Sequence, residues 1–182
     1  MNTSAPRLTL DEFLRKHGGD NAELIDGVVV PLVPAGMLCG HVAARTVSLL
    51  GSFVNEHKLG VAWSNDAFVL IRKAPPRVRG ADFCFWANGA SPEGAAPEWV
   101  IEAPPELCVE LRSLTYDWPH ILEKVSDYLA AGVKAVLVLD PYTQTACAFR
   151  PNGPPLTLSA GDELTLPDVL PGFAVPVARF FE

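Results

Sequence analysis

The chain has 182 residues, 49% apolar and 19% charged, enough for one domain with a sizeable core over residues 1–182. Its 21 acids against 14 basic residues give a net charge of −7, which argues against a general nucleic-acid-coating protein. No uninterrupted apolar run reaches membrane-spanning length, and residues 1–15 contain no apolar signal core, so the expectation is a cytoplasmic protein without a membrane partner.

Thr9-Leu10-Asp11-Glu12 has the form of a capping box and predicts a short helix to about Lys16, ended by His17-Gly18-Gly19. Glu23 to Val30 reads as two strands around a tight turn at Asp26-Gly27. A long helical pattern follows from about Leu38 to His57, with Val42, Val47, Leu50 and Val54 on its apolar face. Val61 to Ile71 predicts one or two strands with Asp66 near a bend, and Ala81 to Trp86 another strand. Between them, Arg72, Lys73, Arg77 and Arg79 cluster with no acid among them. That stretch reads either as a solvated loop or as an edge that contacts nucleic-acid phosphates.

Asn88 to Pro105, rich in Gly, Ala, Pro and Glu, predicts a loop. Leu107 to Leu111 reads as a buried central strand, Trp118 to Ala131 as a helix stopped by Gly132, and Lys134 to Leu139 as a further strand. Thr145 to Phe149 predicts its hairpin partner. Short strands near Leu156 and Leu164, a turn at Pro171-Gly172 and a terminal segment ending Phe180-Phe181 complete the chain. The strand–helix–strand unit from Leu107 to Leu139 requires a parallel pair, and the hairpins add antiparallel ones. The predicted fold is therefore α/β (α+β), a mixed central sheet flanked by helices. Cys39, Cys84, Cys108 and Cys147 lie far apart in apolar stretches, without zinc spacing, and read as reduced core thiols.

The chemistry rests on three residues. Glu110 lies within the apolar run Leu107–Leu111, where a carboxylate is costly unless paired or bound to a cation. Asp82 enters a second apolar strand, so two carboxylates could meet at one sheet edge and hold Mg²⁺ or Mn²⁺, with the Leu111 carbonyl as a third ligand. Lys124 falls at the border of its helix's apolar face, from where its ammonium could reach the strand end and orient a water or stabilise phosphate charge. Taken singly, each residue has a plainer reading: a turn acid at Asp82, a Glu110 carboxylate capped by backbone N–H groups or Arg112, and a snorkelling Lys124.

In order along the chain stand Glu23-Leu24-Ile25-Asp26-Gly27, Ala81-Asp82-Phe83, Val109-Glu110-Leu111-Arg112-Ser113, Glu123-Lys124 through Gly132-Val133, Leu139-Asp140-Pro141 and Asp168 to Phe173. This series resembles the Uma-two family of restriction-endonuclease-like proteins, within the PD-(D/E)XK nuclease superfamily. The resemblance implies a restriction-endonuclease-like fold and a Mg²⁺-dependent DNA endonuclease that works as a homodimer. It assigns Asp82, Glu110 and Lys124 as catalytic, Glu23 and His41 as accessory groups, and Ser113 as a group holding the strand end. Ala81 stands where the family has proline, and the basic residues usual after Ser113 are replaced by Tyr116, Asp117 and Trp118. The alternative within the same fold is a nucleic-acid- or protein-binding module without turnover.

Overall fold

The computed structural model describes residues 7–89 and 100–182. Most of the loop expected between Asn88 and Pro105, and the start of the chain, lie outside the described residues. Helix α1 (Leu10–His17) opens with the expected capping box: Thr9 Oγ1 accepts the Glu12 N–H, and Glu12 accepts the Thr9 N–H at 2.9 Å. Strands β1 (Ala22–Ile25) and β2 (Val28–Pro31) pair around Asp26 and Gly27, both at positive φ, as a tight hairpin requires.

Helix α2 (Met37–Thr46) continues through a π turn (Val47–Gly51) into α3 (Ser52–Glu56). By length and composition alone, Met37–Glu56 could cross a bilayer. Here it lies on the sheet instead, with Cys39, Val42, Leu50 and Val54 in the core.

Strands β3 (Gly60–Lys73) and β4 (Pro76–Ala87) form one long antiparallel hairpin. The basic residues expected on a loop are therefore strand residues: Arg72 and Lys73 end β3, and Arg77 and Arg79 lie in β4. Pro76 is tolerated because it occupies the first position of its strand. Strand β5 (Leu107–Leu111) is buried throughout. Helix α4 (Trp118–Ala131) starts at Asp117, whose Oδ1 accepts the His120 N–H, and stops at Gly132 with φ 103°. It carries the chain to β6 (Ala135–Asp140), which pairs parallel with β5 in register Glu110↔Val138. Strands β7 (Thr145–Phe149) and β8 (Leu156–Ser159) extend the sheet. Strands β9 (Glu163–Leu166) and β10 (Leu170–Pro176) form a separate hairpin. Pro171-Gly172, expected as a turn, falls inside β10 at a break in its pairing, with Gly172 at φ 84°.

The fold is thus a mixed sheet ordered β2-β1-β4-β5-β6-β7-β8, with β3 on the other edge of β4. Leu107, Val109 and Leu111 of β5 face a core shared with α2, α3 and the β9–β10 hairpin. Cys108 faces the opposite core, built with Ile121, Val125 and Tyr128 of α4. All four cysteines are buried and free.

One detail of the sheet positions everything that follows. Along a single edge of β4, β1 pairs only at Val78, whereas β5 pairs from Phe83 to Phe85. Between those points the sheet splits, and the backbone groups in the gap must find side-chain partners.

Candidate active site

The split in the sheet is closed by the side chains that sequence reasoning singled out. The Gly80 N–H donates to Glu23 Oε1 at 3.0 Å, and the Gly80 carbonyl accepts Lys124 Nζ at 2.7 Å and Tyr128 Oη at 3.3 Å. The Leu111 N–H donates to Asp82 Oδ2 at 2.7 Å, which ties β4 to β5 one residue from Glu110. Lys124 Nζ also donates to Glu110 Oε2 at 2.6 Å, and Tyr128 donates to Glu110 Oε1 at 2.6 Å. Lys124 and Tyr128 are four residues apart on α4 and so share one helix face.

The structure thus brings Asp82, Glu110, Lys124 and Glu23 together. Glu23 and Glu110 are only 1% and 2% exposed, and Lys124 is 6% exposed, deeper than the border position expected of it. Ser113 lines the same pocket and accepts the Tyr116 N–H at 3.3 Å. Arg112, the sequence-level alternative partner of Glu110, pairs with Asp140 instead. His41 stands apart: it is exposed on α2, with Nε2 2.7 Å from the Glu182 carbonyl, and does not line the pocket.

Of the basic cluster, Arg77 and Arg79 are turned inward and paired, whereas Arg72 and Lys73 stay exposed at the end of β3. Arg79 is 2% exposed and pairs with Glu23 at 2.8 Å, Asp127 at 2.7 Å and Glu123 at 2.9 Å. Arg77 bridges Asp26 and Asp127, Arg72 pairs with Asp26, and Lys73 pairs with Glu102. A buried guanidinium needs carboxylates around it, so alternate β4 residues point these cations at α4 and the β1–β2 turn.

Electrostatics follow from this crowding. Burial pushes the Glu110 carboxyl up to about 8, with Lys124 opposing the rise and the nearby Asp82 adding to it. Burial likewise raises Asp82. Lys124 is held above its ordinary value, because Glu110, Glu23 and Asp82 together outweigh its own desolvation. Glu23 falls below its ordinary value, since Lys124 and Arg79 overcome its burial.

Sequence reasoning missed Gly80 and Tyr128. Tyr128 was legible only as an apolar-face residue. Gly80 is a glycine because of what lies opposite. A Cβ there would stand 3.2 Å from Asp66 Cβ and 3.3 Å from the Asp66 carbonyl oxygen. Gly80→Ala is expected to displace that segment and cost about 1–3 kcal/mol, measurable by thermal unfolding.

The donors around Asp82 and Glu110 are hard oxygens with an excess of negative charge, which suits Mg²⁺ or Mn²⁺ rather than zinc. Among the described residues no three His, Cys, Asp or Glu side chains converge tightly enough to cage an ion by themselves.

The sequence profile of the Uma2 family ("Putative restriction endonuclease") matches residues 10–178. The crystal structure of a "putative nuclease belonging to DUF820" from Anabaena variabilis ATCC 29413 superposes with a TM-score of 0.83 at 17% identity. The match covers 96% of this chain and 97% of that one, and it shows a shared fold. No curated protein matches the chain. With nearly all of its length matched by the profile, the chain belongs to the Uma2 family.

Proposed function

We propose that this protein is a Mg²⁺- or Mn²⁺-dependent endonuclease that hydrolyses DNA phosphodiester bonds. The observation that carries the reading is the buried Lys124–Glu110 pair at 2.6 Å, set beside Asp82 where the sheet splits. Asp82, Glu110 and the Leu111 carbonyl would hold the ion. A bound divalent ion supplies Lewis-acid polarisation of the phosphate and offsets charge on the leaving oxygen.

The residues of the chain do the positioning. Glu110 and the Gly80 carbonyl take two of the three Lys124 donors, leaving one for a phosphate oxygen or the attacking water. Tyr128 fixes the second Glu110 oxygen, and Glu23 holds the Gly80 amide. Ser113 keeps the end of β5 in place. The whole chain serves as one domain, and cleavage of both strands of a duplex would take two copies of it.

Purified protein with Mg²⁺ or Mn²⁺ is expected to nick supercoiled DNA, and the Lys124→Met variant is expected not to. Equal nicking by that variant sinks the assignment. The pH dependence follows from Glu110. Burial holds its titration up at about 8 against the pull of Lys124, so a cation competes with a proton for that carboxyl. Cleavage and Mn²⁺ binding should therefore strengthen as pH rises through about 8 and weaken below it. Stability of the cation-free protein should move the other way. An acid whose folded value exceeds its unfolded one contributes stability that is lost as pH climbs towards 8.

A second reading, a nuclease-fold module that binds nucleic acid or protein without turnover, draws on one observation. Arg77 and Arg79 are turned inward and paired. Absence of Mn²⁺ binding at millimolar concentration in calorimetry favours this reading over the first.

A further inference from the structure

The pairing of β3 with β4 shifts register twice, once between Leu70 and Arg72 and once, more consequentially, beside Asp82. Between Ser64↔Phe83 and Ala67↔Ala81 the pairing slips, so Asn65 and Asp66 together oppose the single residue Asp82. Both bulge residues are left-handed, Asn65 at φ 71° and Asp66 at φ 56°. Asn and Asp tolerate this region better than other residues with a side chain, yet two in succession inside a strand is unusual. Bulges re-aim side chains, and this one re-aims Asp66. The opposite strand accommodates it with Gly80, where any Cβ would crowd Asp66.

The result is a carboxylate that lines the pocket together with Asp82, Glu110 and Lys124. Asp66 also lines the adjoining polar cleft formed by residues 18–21 and 65–68. It is half-buried, and among the described residues no protein donor is hydrogen-bonded to its carboxylate. Glu23, Asp82 and Glu110 are each bonded to a donor in the split sheet, so Asp66 alone of the four keeps both oxygens uncommitted. A half-buried carboxylate facing open polar space takes its hydrogen bonds from water.

We propose that Asp66 is a further acid of this site, a positioning residue that accepts hydrogen bonds from the water shell of the divalent ion held by Asp82 and Glu110. The inference rests on the metal-dependent reading above. Asp66 acts through water, because the acidic side chains here do not converge into a direct cage. It lines both the pocket and the adjoining cleft.

The test is Mn²⁺ binding by the full chain, followed by calorimetry and by loss of the free-ion paramagnetic resonance signal. Asp66→Asn keeps the shape of the side chain and removes its charge. It is expected to weaken Mn²⁺ affinity about tenfold, the scale of lost outer-shell partners, with the circular dichroism spectrum unchanged. Asp66→Glu is expected to recover part of that loss, which a merely structural role would not produce. Wild-type affinity in Asp66→Asn, together with lost binding in Asp82→Asn, overturns this inference and leaves the metal site standing. Failure of the wild-type protein to bind Mn²⁺ overturns the reading on which it rests.

Discussion

Glu110→Ala is expected to reduce metal-dependent DNA cleavage about 100- to 1,000-fold, the scale for removing one preorganised electrostatic group from a reacting centre. It is also expected to destabilise the fold by about 3–5 kcal/mol, because Lys124 would keep a buried charge without its carboxylate. Among the described residues, Glu23, 3.5 Å from Lys124 Nζ, is the other acid in contact with it, and Arg79 already holds that carboxylate. Glu110→Gln separates the two effects. The amide oxygen can still accept from Lys124 while its NH2 donates to the Tyr128 hydroxyl oxygen, and side-chain volume is kept, so the loss of stability should be smaller. The loss of cleavage should be as large, because a neutral amide does not replace an anionic ligand. Nicking assays paired with thermal unfolding of the same preparations read both outcomes. Cleavage by Glu110→Gln at the wild-type rate would remove Glu110 from the chemistry.

Arg79→Met carries the second large effect. Its guanidinium contacts Glu23, Asp127 and Glu123 while almost wholly buried. Its removal leaves the buried Glu23 without its guanidinium partner and Asp127 with Arg77 alone, at a cost of about 3–5 kcal/mol. The consequence reaches the site, because Glu23 also bonds the Gly80 amide and lies beside Lys124. A Glu23 freed from Arg79 would draw the ammonium away from Glu110, so cleavage should fall along with the unfolding midpoint. Arg79→Lys should rescue neither quantity, since one ammonium cannot reproduce the fork that spans separate carboxylates. Removing Lys73 instead should change stability by less than about 1 kcal/mol, because its pairing with Glu102 is exposed. Similar midpoints for Arg79→Met and Lys73→Met would contradict this account of the β4 cations.

Local signals in the sequence carried much of the fold. The capping box at Thr9, the Asp26-Gly27 turn and the Gly132 stop each depend on neighbouring residues, and each stands where the pattern puts it. The order of strand, helix and strand from Leu107 to Leu139 likewise contained the parallel pair. Long-range partners were not legible. Arg79 reaches Glu23 and Asp127 across 56 and 48 residues, so nothing near it distinguishes a buried cation from a solvated one. The run of like charges was compatible with a solvated loop, while the structure places Arg77 and Arg79 inside a strand.

At the candidate site the same limit applies. Asp82, Glu110 and Lys124 were readable as charged residues in or beside apolar elements. Tyr128 looks like one more core aromatic, and its bond to Glu110 arises only once α4 crosses β5. Gly80 is required by a bulge on the neighbouring strand, and that bulge appeared in the sequence only as a bend near Asp66.

Anomalous diffraction from crystals grown with Mn²⁺ would show whether Asp82 and Glu110 share one ion. One strong peak is expected in the pocket at the sheet split. Carboxylate oxygens of Asp82 and Glu110 and the Leu111 carbonyl should lie about 2.0–2.3 Å from it, with water completing the shell. A peak elsewhere, or Glu110 still bonded only to Lys124 and Tyr128 at saturating Mn²⁺, would contradict a shared ion.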